Sequence, residues 1–262
     1  LDAGDADLAT GFAQALERAG QLYDRVDGAV LARGVLQLPG RERDIDRHVR
    51  IADQLIWRAG HMSVVPSAEV SRRLEEVAET PALSMADARV VHPRKILEAW
   101  LPGGATRASV ARIQRDDTGW CLFDADGQIL RRADCVIIAT GAGTAAMLPA
   151  LPLQAVRGQA EVVSGLMPPA PVAWGGYAIP TADGMLFGAT HDRDDTETDT
   201  RPGDTNRNLA TLAARFPALA DRVGQRADAA DRAVAGPAVR GRADPAAEGG
   251  GGHGGSGGDE GA

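Results

Sequence analysis

The sequence predicts a mixed α/β (α+β) fold, in which a parallel sheet of nucleotide-binding type is joined to an antiparallel sheet. Three observations support this prediction. Helical and strand patterns alternate in the first half of the chain, whereas later strands follow one another in hairpins at Asp126-Gly127 and Asp183-Gly184. The run Cys135–Ala139 is apolar, rich in β-branched residues and free of polar alternation. It is therefore expected to be a core strand of the parallel sheet, buried on both faces.

The composition is that of a globular, acidic protein. The chain has 262 residues, of which 44% are hydrophobic, and a formal net charge of −8. This charge argues against a nucleic-acid footprint spread over the whole surface, although a local arginine patch is compatible with it. No apolar run is long enough for a membrane span and no signal segment opens the chain. We expect a cytoplasmic protein without a membrane anchor, with Cys121 and Cys135 as reduced thiols in strands.

The first hundred residues predict helices separated by short strands. Apolar residues recur every three or four positions over residues 5–26 and 43–57, which is typical of amphipathic helices. A third helix is expected from residue 67 and a fourth over residues 93–100, where Pro102-Gly103-Gly104 ends it. Short strands are expected at residues 34–38 and 88–91.

The rest of the chain predicts mainly strands. Alternating residues over 110–115 and 120–124, followed by a turn and Ile129-Leu130, predict a three-stranded meander. Four further strands are expected at residues 152–164, 174–179, 185–190 and 234–239. One more helix is expected at residues 205–216. The glycine-rich tail from Glu248 has nothing with which to form a core and is expected to be disordered.

The candidate binding elements are a bend of small residues, two arginines and a tyrosine. Thr140–Gly143 leave the predicted core strand at its carboxyl end, where open α/β sheets bind ligands. Arg157 precedes a glycine in a strand, and Arg240 follows the apolar end of another. Each guanidinium is either an ion-pair partner or a group that holds a carboxylate through two parallel hydrogen bonds. Tyr177 follows two glycines and is either a packing residue or part of a site.

Other chemical signatures do not occur in the sequence. The histidines do not cluster at metal-ligand spacing, and no nucleophile elbow or phosphate-binding P-loop is found. The acidic segment 191–204 lacks the glycine and the closing glutamate of a calcium loop. We expect no metal site and a solvated acidic loop.

Several segments together resemble the FAD-dependent oxidoreductase (D-amino-acid oxidase-like) family. They are ARGVLQLPG, RVVHPRKILEAWL, RDDTGWCLFDADGQ, ADCVIIATGAG, LPLQAVRGQAEVV and GGYAIPTADGMLFGATHDRDDTETDTR. Their order and spacing make the resemblance specific, and it covers most of the chain. It implies FAD as the cofactor and a partial FAD/NAD(P)-binding-type parallel sheet beside an antiparallel substrate-binding sheet.

Within the family, the pattern is similar to that of the tRNA-modifying branch. This resemblance implies oxidation of the C–N bond in 5-carboxymethylaminomethyl(-2-thio)uridine at the tRNA wobble position, which leaves 5-aminomethyluridine. It also implies a methyltransferase domain upstream as a partner. Ala139, Thr140 and Gly141 would then line the flavin nucleotide, Arg240 would hold the substrate carboxylate, and Tyr177 and Arg157 would lie at the substrate face of the flavin.

The resemblance also implies a division of the chain and leaves alternatives open. The expected FAD-binding parts are residues 1–30, 88–150 and 232–247, the expected substrate-domain parts are 31–87 and 151–231, and 248–262 form the tail. The GxGxxG turn that holds the FAD pyrophosphate in the family is not found before Gly34, so we expect a truncated domain. The alternatives are a stand-alone amino-acid or glycine oxidase that acts on a small substrate, and a non-catalytic remnant without FAD.

Overall fold

The computed structural model of the chain describes residues 6–226 and the backbone of residues 232–241. The helices are α1 Ala6–Tyr23, α2 Arg43–Ala52, α3 Ser67–Leu74, α4 Pro93–Trp100, α5 Thr144–Met147, α6 Pro202–Arg215 and α7 Pro217–Gly224. The strands are β1 Val30–Gln37, β2 Met62–Val65, β3 Ala82–Val91, β4 Arg112–Asp116, β5 Gly119–Phe123, β6 Ile129–Ala133, β7 Leu153–Ser164, β8 Val172–Ala173, β9 Tyr177–Pro180, β10 Gly184–Gly188, β11 Asp192–Arg193 and β12 Arg232–Gly241. The predicted mixed α/β class is confirmed.

The chain divides into two compact units. Unit 1 consists of residues 1–107, 158–191 and 197–236, and unit 2 of residues 108–157, 192–196 and 237–262. The chain passes from unit 2 to unit 1 within β7, between Arg157 and Gly158.

Unit 1 is built on one mostly antiparallel sheet. Its strands lie in the order β7-β10-β9-β8-β1-β3-β2. The pairing of β1 with β8 is parallel, whereas β10 pairs with both β7 and β9 in antiparallel register. The central strands β8, β9 and β10 are short, and β9 and β10 are joined by the predicted Asp183-Gly184 turn. Parallel pairing was predicted for the strand at Cys135–Ala139, but in this sheet it occurs between β1 and β8.

The hydrophobic core lies on one face of this sheet, beneath α3, α6 and α7. Leu36 of β1, Val163 of β7, Val172 of β8, Ala178 of β9, and Met185 and Phe187 of β10 are buried there. The core consists of Leu36, Leu38, Val70, Leu74, Ala82, Val163, Leu166, Val172, Ala178, Met185, Phe187, Leu212, Phe216, Leu219 and Val223. Because Ala178, Met185 and Phe187 are no more than 1% exposed, the central strands cannot rotate about their axes without losing this core.

A buried polar network fastens α6 to β7. The Gln159 side chain accepts a hydrogen bond from the Arg201 backbone N–H at 2.7 Å and donates to the Thr205 hydroxyl at 3.0 Å. Asn208 donates to the Gln159 carbonyl at 2.8 Å and to the Glu161 carboxylate at 3.1 Å. Gln159, Glu161 and Asn208 are buried, so their hydrogen bonds avoid the cost of unsatisfied polar atoms and fix the helix in one register.

An ion-pair cluster connects the end of α1 to β1 and β3. Asp24 accepts two hydrogen bonds from Arg89, at 2.9 and 2.7 Å, and one from Arg33 at 2.7 Å. The hydrogen bonds from Arg89, followed by those from Arg33, lower the pKa of the Asp24 carboxyl well below its usual value. The carboxylate therefore stays charged down to strongly acidic pH, and α1 remains attached to the sheet by this cluster.

Unit 2 contains the predicted three-stranded meander. The strands lie in the order β4-β5-β6, with Ile113 opposite Leu122 and Cys121 opposite Arg132. Cys121 is buried, as expected. In the same unit, β11 pairs with the first part of β7, so that Asp192 lies opposite Arg157.

The prediction of a buried core strand at Cys135–Ala139 is wrong. Residues 135–140 have no regular secondary structure, Ile137 is 87% exposed, and Cys135 is also exposed and lies outside any strand. A buried parallel strand needs hydrogen-bonded neighbours, and none of the strands in residues 6–226 pairs with this segment. The apolar, β-branched pattern therefore had nothing to pair with.

The other predicted elements form, with differences at their ends. Helix α2 ends at Ala52 rather than near residue 57, and β1 and β3 begin four and six residues before their predicted starts. Strand β12 forms at the predicted position, while the tail from Glu248 lies outside the described residues. Strands β2, β8 and β11 and helices α5 and α7 were not predicted. Within the described part of the chain, no helix is long and apolar enough to cross a bilayer.

Gly184→Ala is expected to lower the free energy of unfolding by about 2 kcal/mol or more. An added Cβ would lie 2.0 Å from the Val163 carbonyl oxygen, and this backbone atom cannot move without breaking the pairing of β7 and β10. The measurement is denaturant-induced unfolding followed by circular dichroism. Gly203→Ala is the matched control, since nothing lies within 4 Å of its Cβ position on α6. Equal unfolding midpoints for the two variants would contradict the prediction.

Candidate functional site

The face of the unit 1 sheet opposite the core carries the best-defined candidate site. Tyr177 begins β9, and the next residue, Ala178, is fully buried in the core. Because successive side chains of a strand point to opposite faces, Tyr177 lies on the face that the core does not cover. Ile179 and Leu186 lie on the same face by the same alternation, and all three are half-buried. This face is apolar, with a phenol at its centre.

The strand register places small residues on both sides of Tyr177. Ala173 lies opposite Tyr177 on one side, and Gly188 lies opposite it on the other. The row continues to Gln37, which pairs with Ala173, and to Ala160, which pairs with Gly188. Directly opposed residues of neighbouring strands point to the same face. The row thus has a tyrosine between an alanine and a glycine, and beyond Gln37 it continues to Leu83 of β3 and Val64 of β2.

A cleft is lined by Gln37 of this row and is called the α2 cleft below. Its volume is about 420 Å³. The lining residues come from α2, from β1 to β3, and from the turn after β8: Gln37, Leu38, Gly40, Asp44, Arg47, His48, Ile51, Met62, Leu83, Met85, Trp174 and Gly175. Helix α2 and the β8–β9 turn therefore form its walls within unit 1.

Two polar side chains of the α2 cleft are Asp44, which is already hydrogen-bonded, and His48, which is uncharged. Asp44 accepts hydrogen bonds from the backbone N–H groups of Gly40, at 3.1 Å, and Arg41, at 2.9 Å. His48 is buried, and this burial lowers the pKa of its imidazole below the usual 6.5, an effect that Asp44 partly opposes. The imidazole is therefore neutral at pH 7.

Trp174 lines the α2 cleft, and its side chain packs against the hydrophobic core. Its ring packs edge-on against Phe216, with ring centroids 4.7 Å apart and an interplanar angle of 78°. The backbone N–H of Trp174 donates to the Gly176 carbonyl at 2.9 Å, which closes the turn before Tyr177. The indole Nε1 is buried and has no hydrogen-bond acceptor among the residues that the structure describes.

The predicted flavin-binding bend is present as a turn in unit 2. Gly141–Gly143 form a single turn of 3-10 helix with Gly141 at φ 55°, and the Thr140 and Thr144 hydroxyls are 3.0 Å apart. Ala139 and Thr140 are exposed, and nothing lies within 4 Å of a Cβ added at Gly141. The bend thus offers small side chains and open space, although the strand expected before it does not form. Its contact with a cofactor stays a prediction.

The two predicted arginines also belong to unit 2. Arg157 is 0% exposed, and its Nη1 lies 3.9 Å from the Asp192 carboxylate, its partner across β7 and β11. The backbone of Arg240 lies in β12, as predicted, but its side chain lies outside the described residues. Gly158, after Arg157, has the predicted close neighbour, because a Cβ there would lie 3.2 Å from the Thr190 carbonyl.

The structure thus groups the predicted site residues differently from the sequence. Tyr177 belongs to unit 1, while Ala139, Thr140, Gly141, Arg157 and Arg240 belong to unit 2. The structure adds the α2 cleft, whose lining includes Gln37, His48 and Trp174. The sequence contained a signal for Trp174, which directly precedes the Gly175-Gly176 pair. It contained none for His48, whose burial on α2 depends on the packing of that helix. In the described part of the chain, no group of His, Cys, Asp or Glu residues is arranged to hold a metal ion.

Comparison with known proteins assigns the chain to a family. Residues 4–257 match the family described as FAD dependent oxidoreductase. The bifunctional tRNA 5-methylaminomethyl-2-thiouridine biosynthesis protein MnmC of Caulobacter vibrioides is 50% identical over 223 residues, which cover 85% of this chain and 37% of that protein. The chain therefore spans little more than a third of this relative.

Two solved structures share the fold. Iminodiacetate oxidase from Chelativorans sp. BNC1 superposes with a TM-score of 0.69 at 20% identity, over 93% of this chain and 71% of the other. Glycine oxidase from Geobacillus kaustophilus superposes with a TM-score of 0.66 at 20% identity, over 89% of this chain and 66% of the other. At this level of identity the likeness concerns the fold alone.

Tyr177 is expected to remain a neutral phenol to unusually high pH. Burial raises the pKa of its hydroxyl above the usual 10.0, because the phenolate is poorly solvated there. Tyr23→Phe leaves Tyr177 as the only tyrosine, so the tyrosinate absorbance of this variant reports on it alone. The absorbance should appear above pH 10 in the folded protein, and near the ordinary value of about 10 in denaturant. Identical folded and unfolded titrations would contradict the burial argument.

Proposed function

The chain belongs to the FAD-dependent oxidoreductase family, and we propose that it oxidises the C–N bond of a carboxymethylamino group. The proposed substrate is 5-carboxymethylaminomethyl(-2-thio)uridine at the tRNA wobble position, and the product is 5-aminomethyluridine. The observation that carries this proposal is the 50% identity to a bifunctional tRNA 5-methylaminomethyl-2-thiouridine biosynthesis protein over 223 residues. The family and its cofactor, FAD, agree with the resemblance predicted from sequence.

The residues present fit the ring system of FAD better than its pyrophosphate. Tyr177 lies between Ala173 and Gly188, whose side chains are small or absent, and nothing lies within 4 Å of a Cβ added at Gly141 in the bend. The family's pyrophosphate-binding GxGxxG turn does not occur in residues 1–33. We therefore assign Ala139, Thr140 and Gly141 to the flavin nucleotide and leave the phosphate contacts unassigned. When bound, FAD supplies the acceptor for two electrons.

The proposed roles of the polar residues follow from their charge. The substrate carries a carboxylate beside the amine, and a guanidinium matches a carboxylate with two parallel hydrogen bonds. Arg240 is the proposed carboxylate ligand, and Arg157, which is buried beside Asp192, is proposed to lie at the substrate face of the flavin. Tyr177, protonated at neutral pH, is the proposed hydrogen-bond donor on the substrate side.

The reaction needs little further from the protein. Oxidation removes two electrons and two protons from the amine and its carboxymethyl carbon, which leaves an imine. Water then adds to the imine carbon, and the C–N bond breaks to release the aminomethyl product and a two-carbon oxo acid. The protein's part is to hold the carboxylate and to orient the carbon to be oxidised.

The larger setting of this chain is proposed by similarity. We propose the domain division of the sequence prediction, with FAD-binding parts at residues 1–30, 88–150 and 232–247, and substrate parts at 31–87 and 151–231. A methyltransferase domain is the proposed partner in the modification, because the Caulobacter relative is bifunctional. The proposed location is the cytoplasm, where its tRNA substrate would be found.

The test begins with the colour of the purified chain. Bound FAD gives visible absorbance bands, and FAD added to a colourless preparation should be retained through gel filtration. The FAD-loaded chain is then given tRNA carrying 5-carboxymethylaminomethyluridine, or free glycine, and the release of the two-carbon oxo acid is measured. Preference for the tRNA supports the proposal, whereas preference for glycine supports an amino-acid oxidase. A chain that takes up no FAD and oxidises neither substrate is a non-catalytic remnant, which would overturn the proposal.

Arg240→Ala is expected to reduce kcat/KM for the carboxymethylamino substrate about a hundredfold, because it removes a charged hydrogen-bonding partner of the carboxylate. The affinity for FAD, measured by titration of the visible absorbance, should change less than about threefold. Arg240→Lys, which keeps the charge but not the paired donors, should lie between the two. Equal losses in FAD binding and in turnover would show that Arg240 does not bind the substrate.

A further inference from the structure

We propose that the side-chain oxygen of Gln37 accepts a hydrogen bond from the amine N–H of the substrate and orients the nitrogen beside Tyr177. This inference rests on the proposed function and adds a substrate-binding residue to it. The amine carries the bond to be oxidised, and the residues assigned so far do not accept a hydrogen bond from it. The guanidinium groups of Arg240 and Arg157 can only donate, and Tyr177 is assigned as a donor.

Gln37 lies on the same face of the unit 1 sheet as Tyr177. Its sequence neighbours Leu36 and Leu38 are 2% and 3% exposed and belong to the core, so the Gln37 side chain points to the opposite face. The strand register agrees, because Gln37 pairs with Ala173, which in turn pairs with Tyr177. Two strand spacings, or about 10 Å, separate the backbones of Gln37 and Tyr177. Only the methyl group of Ala173 lies between them in the row.

The Gln37 amide is oriented, and its oxygen is accessible. The side-chain Nε2 donates to the Leu38 carbonyl at 3.1 Å, and the opposite orientation of the amide would bring two oxygens together. The side-chain oxygen accepts no hydrogen bond from the described residues, and it is not buried, in contrast to the indole nitrogen of Trp174. Gln37 also lines the α2 cleft, whose volume is about 420 Å³. A small bound molecule can therefore reach this acceptor.

Gln37 is the acceptor that this part of the face offers to an amine. Apart from Tyr177, the other described residues of its strand row have no polar side chain: Val64, Leu83, Ala173, Gly188 and Ala160. Among the described residues that line the α2 cleft, Asp44 is the only carboxylate, and it already accepts hydrogen bonds from two backbone N–H groups. The other titratable residues of the lining are Arg47, which cannot accept, and His48, which is 6% exposed.

A neutral amide suits an amine that is to be oxidised. The amine can give up electrons only as the free base, because its protonated form has no lone pair. A carboxylate in the same place would favour the protonated amine and raise its pKa. An amide oxygen accepts the N–H without a full negative charge, so Gln37 orients the amine and leaves its proton free to depart.

The test uses two ligands that differ only in the N–H group. Pyrrole-2-carboxylate and furan-2-carboxylate have the same shape and charge, and neither has a saturated C–N bond to oxidise. Their binding to the purified chain, in the presence of excess FAD, is measured by calorimetry without turnover. The wild-type chain should bind the pyrrole about tenfold more tightly, as expected for one hydrogen bond. In Gln37→Met, which has a side chain of similar length but no amide, the two affinities should agree within about twofold.

A matched control and a second readout separate this role from a structural one. Gln14→Met changes an exposed glutamine of α1 and should keep the wild-type preference for the pyrrole. Gln37→Glu places a carboxylate beside the amine, so the acidic limb of the pH profile of kcat for N-ethylglycine should move up by about one pH unit. A merely structural Gln37 would change neither the ligand preference nor the position of this limb.

Three results would overturn the proposal: an unchanged preference in Gln37→Met, equal weakening of both ligands, or no binding of either ligand by the wild-type chain. Gln37→Leu replaces Gln37→Met if that variant does not fold, and the same loss of preference is expected of it. A preference that depends on Gln37 in a chain that oxidises no amine would support the binding residue and reject only the proposed function.

Discussion

The candidate site depends on the burial of one face of the unit 1 sheet. Ala178, Met185 and Phe187 are inserted between the sheet and its helices, and each is at most 1% exposed. A strand has only two faces, so this burial commits Tyr177 and Leu186 to the other face. The buried network around Gln159 reinforces the constraint, because it fastens α6 over the core face of β7. Placement of the phenol is therefore a consequence of core packing.

The same constraint explains why a site forms next to the tyrosine. Ala173 and Gly188 are its lateral neighbours, and their short side chains leave the surface beside the phenol low. The row passes from Gln37 to Leu83 on β3, and both residues line the α2 cleft.

Two segments of unit 2 show that an apolar sequence pattern forms a strand only where a neighbouring strand can pair with it. The meander β4-β5-β6 forms as predicted, because each strand pairs with a neighbour that is close in sequence. Cys135–Ala139 have the same kind of apolar pattern but remain without regular structure and partly exposed. The difference is hydrogen bonding, since a buried parallel strand requires neighbours on both edges that come from distant parts of the chain. The turn at Gly141 nevertheless forms, because it depends on local backbone preferences.

The sequence by itself determined the fold class, most helices and hairpins, the family, and Tyr177 as a residue of interest. These features follow from local periodicity, turn residues and the order of short motifs, which a single chain displays directly. Only the tertiary structure decided that Tyr177 lies between Ala173 and Gly188, that Arg157 is buried beside Asp192, and that Gln37, His48 and Trp174 line one cleft. The cleft lining brings together residues as far apart in sequence as Gln37 and Trp174, which are 137 positions apart. No local sequence pattern specifies that two such distant residues line the same cleft. These contacts arise because the sheet brings β1 and β8 side by side in parallel register, a pairing that is fixed by the packing of the whole core.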